Sequence, residues 1–361
     1  MRTELCGLLG IEYPIVAFSH CRDVVAAVSR AGGLGVLGAA TFNPADLDRE
    51  LTALDMQCQG RPYGIDLVFP VKYRGDDEIE LRAMIPKEHA DFLRELERRF
   101  GIPPRTSTDE GSTVRGHARA REQWDVARAH RVTLLASALG PAPADVQESA
   151  HAAGIATAGL VGAVRHATAH VTAGTDLIIA QGTEAGGHSG DVSTLVLVPQ
   201  VVDAVAPHPV LAAGGIGDGR QVAAALALGA AGVWTGSIWL TTTESDTHPI
   251  LKEKLGEATS HDTIRSRCRT GKMVRQLQTA WVDAWEAPSA PAPLPAPLQQ
   301  MLVRDATLSA IEHGVADALG TPVGQIVGMM GGQRPVRAVM DDLIAGYVDA
   351  ADRLAATVAP E

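Results

Sequence analysis

Short, almost uninterrupted apolar runs alternate with longer segments of helical period along most of this chain. The runs are Pro14–Phe18, Leu34–Ala39, Tyr63–Phe69, Val132–Leu139, Ile155–Val161, Asp176–Gly182, Pro209–Gly215 and Ala231–Gly236. A run apolar at successive positions suits a strand covered on both faces, which is the condition of a parallel sheet. Helical segments beginning near Asp23 and Pro44, and between most of the later runs, supply the crossovers. Eight such units predict an α/β fold of the (β/α)8, TIM-barrel type. A doubly wound open sheet is the competing architecture. The barrel is favoured because the glycine-rich turns follow the last strands rather than the first.

Two segments interrupt the alternation. Residues 72–130, after the third strand, are long and charged (DDEIE, RELERRF, RGHARAREQ) and read as a helical insertion with a loose Thr/Ser/Gly connection around Arg105 to Thr113. Loops at that end of a barrel surround the active site, so the insertion is either a solvated helical pair or a lid. Residues 287–298 (APSAPAPLPAPL) are too proline-rich for helix and read as an extended linker. Beyond it, 299–361 carries apolar residues at spacings of three and four, predicting helices that pack on the barrel or a neighbour. The expected organisation is thus a barrel over 1–286 including the insertion, a linker, and a C-terminal helical extension.

The chemistry concentrates after the sixth and seventh strands. Gln181-Gly182-Thr183-Glu184-Ala185-Gly186-Gly187-His188-Ser189-Gly190 places one imidazole on a loop whose glycines let the backbone approach a ligand closely. Ala213-Gly214-Gly215-Ile216-Gly217-Asp218-Gly219 then runs from a strand into an amphipathic helix starting near Arg220. Free N–H groups in such a turn, with the helix N-terminus, form a phosphate cradle that needs no lysine. Gly236-Ser237 repeats the arrangement one strand later, and phosphate sites after strands seven and eight are usual for these barrels.

The net charge of −11 over 361 residues, without a Lys/Arg run, disfavours nucleic acid and anionic membranes as partners. No apolar stretch is long enough to span a bilayer, and the N-terminal residues lack a signal-like core, so a cytoplasmic location is expected. Cys6, Cys21, Cys58 and Cys268 lie far apart with no metal-binding spacing and read as unpaired thiols. His166 and His170 are spaced i, i+4 without the Glu of an HExxH motif; they read as a solvated helix face, and no metal site is expected.

QGTEAGGHSG, AAGGIGDGRQVAAALALGA and GVWTGS, in this order and spacing, resemble the flavin-dependent nitronate monooxygenases. Tyr13–Val16, Ala31–Gly35, Thr270-Gly271-Lys272 and Gly324–Gly328 extend the likeness toward both ends. The resemblance implies an FMN-containing TIM barrel oxidising a nitro or nitronate substrate with dioxygen, in which His188 is the catalytic base. It implies that the FMN phosphate rests on Gly214, Gly215, Gly236 and Ser237. Ala17, Phe18, Ser19, Asp66, Gln181, Gly186, Gly187 and Ala213 would border the rest of the cofactor. Glu184 either orients the imidazole or caps the following segment.

The chain departs from the family where the flavin ring is expected. Ala17-Phe18-Ser19-His20 replaces an Ala-Pro-Met-like run, and Gly64-Ile65-Asp66-Leu67 lacks the usual Asn. Asp66 would disfavour an anionic reduced flavin unless paired, or bind a cationic substrate group; otherwise it bonds backbone. His20 is a candidate second acid/base. Related barrels that reduce quinones or enoyl thioesters with NAD(P)H share these features, so a reductase is the alternative, and a noncatalytic flavin- or phosphate-binding barrel is a third reading. A homo-oligomer is possible on this fold.

Overall fold

A computed structural model describes residues 1–69, 78–105 and 117–358. Its eight barrel strands are β1 (Ile15–Ser19), β2 (Leu34–Gly38), β3 (Tyr63–Val68), β4 (Val132–Ala138), β5 (Ala156–Val161), β6 (Leu177–Gln181), β8 (Val210–Ala213) and β9 (Gly232–Thr235). They coincide with the eight apolar runs. A two-residue strand, β7 (Gly187–His188), falls between β6 and β8, and β10 (Thr263–Ser266) and β11 (Val274–Leu277) follow β9. Parallel pairing of β1 with β9, from Ile15 opposite Val233 to Ala17 opposite Thr235, closes the barrel.

Strand alternation sorts the side chains into two cores. Val16, Val36, Leu134, Ala136, Ala158, Ile179, Leu211 and Trp234 fill the barrel interior. Their neighbours face outward: Ile15, Ala17, Ile178, Ala180, Ala212 and Val233 meet the helices around Val24, Leu197 and Val222. Leu37, Ile65, Leu67 and Leu135 meet Leu47, Leu51 and Trp124. Removing these surfaces from water at about 25 cal/mol per Å² is the main stabilisation of the barrel.

Helix Lys87–Phe100, in the 72–130 segment, shares a core with helices Ala280–Glu286 and Leu298–Glu312 through Leu96, Trp281, Trp285, Met301 and Leu302. Helix His117–Ala127 packs instead on β3 and on helix Pro44–Gln57. Most of the connection expected around Arg105 to Thr113 lies outside the described residues. Helix Val336–Val358 lies on helices Gly219–Ala227 and Arg22–Arg30, burying Val336, Met340 and Leu343.

His170 corrects the expectation of a solvated helix face. It is 2% exposed, and a Cβ on Gly159 would lie 2.0 Å from its ring, so the glycine of β5 makes room for the imidazole. Burial, with His166 as a lesser cause, pushes its pKa down to about 4. The unfolded chain, with His near 6.5, therefore binds this proton more readily than the native state does. Native stability is predicted to fall as pH drops from about 6.5 toward 4, by up to about 3 kcal/mol from this group. Urea titrations across that window check it: His170→Asn should be less stable at pH 7 yet lose this part of the slope.

Candidate active site

β6 delivers the histidine loop to the C-terminal mouth of the barrel. Gly182 N donates to Ala213 O (2.9 Å), Ala185 N to Gly182 O (3.1 Å) and Thr183 N to Val192 O (2.8 Å), closing the loop on itself and on β8. Gly187 has φ +81°, a conformation that favours glycine, and turns the chain into β7. There Gly187 and His188 pair antiparallel with Arg275 and Val274 of β11. His188 Nε2 lies 2.9 Å from Thr270 Oγ1, on the turn joining β10 to β11.

The Glu184 carboxylate takes the capping role. It accepts from Thr194 N (2.9 Å) and Thr194 Oγ1 (3.0 Å) at the start of helix Thr194–Val205, satisfying donors a helix leaves open. Arg275, 8% exposed, donates from Nε to Thr183 O (2.8 Å) and from Nη1 to Thr263 Oγ1 (3.1 Å). Burial, then the charge of Arg265, lowers its pKa, and Glu184 opposes this. Arg265 pairs with Asp191 at 2.7 Å and reaches Ser189 O at 3.5 Å. The two arginines thus hold both ends of the loop carrying His188.

A second set of contacts comes from the C-terminal region. Gly324 N donates to Ser237 Oγ (2.9 Å), and Gln325 N donates to Glu184 O (2.9 Å). A Cβ on Gly324 would fall 2.7 Å from Glu184 O and 3.1 Å from Gly186 N. This close approach binds the histidine loop to the turn after β9.

The glycine turns after β8 and β9 fit a phosphate, but differently from expectation. Gln221 Oε1 accepts from Gly217 N (2.7 Å) and Asp218 N (3.0 Å), and Asp218 Oδ1 accepts from Arg220 N (2.8 Å). The helix N-terminus is therefore capped internally, and an aspartate already occupies its positive end. The amides of Gly214, Gly215, Gly236 and Ser237 find no acceptor among the described residues. Gly214 and Gly215 have φ of +96° and +70°, and nothing lies within 4 Å of where a Gly236 Cβ would stand. Four amides without an acceptor among the described residues, with open space beside Gly236, suit the acceptor oxygens of a phosphate monoester.

The mouth is lined by the inward positions at the strand ends. Phe18 packs on the interior core, stacks on Trp234 with ring centroids 6.1 Å apart and meets His20 edge-on at 5.1 Å. His20 Nδ1 lies 2.8 Å from Gly38 O; since a carbonyl only accepts, the hydrogen is on Nδ1. Gln181 Nε2 donates to Gly186 O (3.4 Å), and Ser19 Oγ accepts from Cys21 N (3.1 Å). Asp66, 6% exposed, lies between the outward-facing Ile65 and Leu67, so it faces the mouth.

Of the candidates, Ala17–Ser19, Gln181, Gly186–His188, Ala213–Gly215, Gly236 and Ser237 gather on the adjacent strand ends β6, β8, β9 and β1. Asp66 stands apart on β3. Ala17 turns its side chain outward, so only its backbone can border a cofactor, and Ala213 offers the interior a methyl group. Thr270, Arg265, Arg275 and Gly324 join the site without a role expected from the sequence. The available signal was the ten-residue spacing of Arg265 and Arg275 around a Thr-Gly-Lys turn, a hairpin register. Among the described residues no group of three or more His, Cys, Asp or Glu could hold a metal, and no helix is long and apolar enough to cross a membrane.

A closed parallel barrel with open glycine turns after its last two strands and a histidine loop at its C-terminal mouth is an enzyme scaffold of the TIM type, whose chemistry sits at that mouth. The family model for nitronate monooxygenase matches residues 2–346, and the chain belongs to that family. The family implies a flavin cofactor. A Mycobacterium tuberculosis protein provisionally named a monooxygenase is 49% identical over 98% of both chains. Nitroalkane oxidase of Streptomyces ansochromogenes superposes with TM-score 0.83 at 28% identity, covering 97% of this chain and 99% of its own. FabK of Thermotoga maritima gives 0.77 at 27%, covering 99% and 100%.

Proposed function

We propose that the protein oxidises alkyl nitronates, and the nitroalkanes that yield them, to a carbonyl compound and nitrite with FMN and dioxygen. The observation carrying this reading is the His188 imidazole, held at the mouth by Thr270, on the same rim as the glycine amides after β8 and β9. Bound there, FMN would supply the redox chemistry at its ring. Gly214, Gly215, Gly236 and Ser237 hold its phosphate; Ser237 Oγ accepts from Gly324 N and keeps its own hydrogen to donate. Phe18 and Trp234 form an apolar wall, Gln181 and Asp66 border the mouth, and Gly186 and Gly187 bring backbone close to the ligand.

His188 takes the α-proton of a neutral nitroalkane, a role suited to an imidazole whose unperturbed pKa is about 6.5. A nitronate is already carbanionic and needs only to be bound and oriented. The likeness to the oxidase of Streptomyces ansochromogenes supports this substrate class. The likeness to FabK supports a second reading, an NAD(P)H-dependent reductase on the same barrel. We take residues 1–286 as the cofactor-binding unit and 299–361 as a helical extension that contributes Gly324 to it. Four buried, unpaired cysteines suit the reducing cytoplasm.

Anaerobic mixing of the flavin-loaded protein with an alkyl nitronate or with NAD(P)H separates the readings. The nitronate alone is expected to bleach the flavin absorbance or produce a one-electron-reduced spectrum. Bleaching by NAD(P)H alone would instead establish the reductase, and protein that takes up no FMN would overturn both.

A further inference from the structure

We propose that the cavity between the turn after β8 and helix Val336–Val358 is a second ligand site, shaped for a neutral aromatic alcohol of the size of phenol. Its volume is about 160 Å³. Gly217 to Gly219 and Ile238 form one side of it, but the four amides given above to the FMN phosphate do not line it, nor does any residue of the histidine loop. The cavity therefore adjoins the cofactor turns without including them.

Size and wall chemistry set the body of the occupant. A protein cavity of about 150 Å³ with apolar walls admits benzene, so one six-membered ring is the scale that fits. Ile238, Val339 and Leu343 supply aliphatic walls, and Met329 and Met330 supply two thioethers. Sulfur packs favourably against the edge of an aromatic ring, which favours an aromatic body over an aliphatic one. Met329 is 45% exposed, and its unbranched side chain is adaptable enough to admit a ligand.

Charge excludes an ionic occupant. Asp218 is engaged by Arg220 through N (2.8 Å) and Nε (2.9 Å), and Arg334 Nη1 pairs with Asp342 at 2.6 Å. Each acid in the lining thus has its own guanidinium, and a charged ligand would give up water without meeting an unmatched partner.

One polar group in the lining is unmatched. Thr241 is 3% exposed, and its hydroxyl has no partner among the described residues, whereas Thr242 Oγ1 donates to Trp239 O at 2.7 Å. A buried hydroxyl left without a hydrogen bond is unfavourable. A ligand with one hydroxyl of its own completes it, because such a group both donates and accepts.

Flavin-loaded protein labelled with ¹³C at its methionine methyl groups is titrated with phenol and, separately, with benzene. Met329→Leu and Met330→Leu assign the two signals by difference. Phenol is expected to shift both along one saturable curve with a Kd at or below about 1 mM, while the exposed Met56 and Met84 keep their positions. Thr241→Val, which keeps the shape of the side chain and removes its hydroxyl, should weaken phenol about 5-fold, the worth of one hydrogen bond, and leave benzene unchanged. No saturable shift at Met329 and Met330, or equal shifts at Met56 and Met84, would overturn the site. Phenol affinity unchanged by Thr241→Val would overturn the ligand class. The wild-type titration decides the first question even if the variant fails to fold.

Discussion

His188→Asn should turn over a neutral nitroalkane about 10²–10⁴-fold more slowly than wild type, the contribution expected of a positioned general base. Turnover of the preformed nitronate should change by less than about 10-fold, since that substrate has already lost its proton. The asymmetry separates base catalysis from damage to the site. An asparagine in place of His188 would keep the backbone pairing to Val274 and lose the part-buried hydrogen bond to Thr270, a contact worth about 1 kcal/mol. Flavin content should therefore match wild type. Parallel steady-state assays on nitroethane and its nitronate are the check; equal rates on nitroethane for the two proteins would remove His188 from the mechanism.

Gly236→Asp is expected to weaken FMN binding by at least about 100-fold, or about 2.7 kcal/mol. The open space at the Gly236 Cβ position lets the carboxylate enter without a steric clash. Once there, it faces the phosphate charge, and like charges about 4 Å apart near a protein surface repel by about 4 kcal/mol. Gly236→Asn, which matches the size without the charge, should lose much less. The flavin-free melting temperature of both variants should stay near that of flavin-free wild type. Titration of the apoprotein with FMN, followed by flavin fluorescence, makes the measurement. Wild-type affinity in Gly236→Asp would mean that the phosphate sits elsewhere.

Much of this arrangement is legible in one dimension. The eight barrel strands lie at the eight apolar runs because a strand covered on both faces leaves no room for polar alternation. The glycine turns after β8 and β9 are equally plain, since a backbone that presents free amides to a ligand excludes side chains there. The β10–β11 hairpin leaves only a faint mark, the ten-residue spacing of its facing arginines. TIRS and VRQL are short and carry arginines at facing positions, with no apolar run to mark them. His170 misled for a related reason: an i, i+4 histidine pair looks solvated until Gly159, eleven residues earlier, is seen to leave space for the ring.

The barrel, the glycine turns at its last strand ends, and the histidine loop after β6 are all readable along the chain. They follow from local rules, strand burial and glycine backbone freedom, that act within a few residues. How that loop is held came only from the folded arrangement. Arg275 reaches back 92 positions to Thr183, Thr270 reaches back 82 to His188, and Gly324 reaches back 87 to Ser237. The cap on the helix after β8 is different in kind, since Asp218 and Gln221 stand three residues apart and form a local capping box. Hydrogen bonds between residues so distant in the chain depend on where closure of the barrel brings each strand end, and no periodicity along the chain records that.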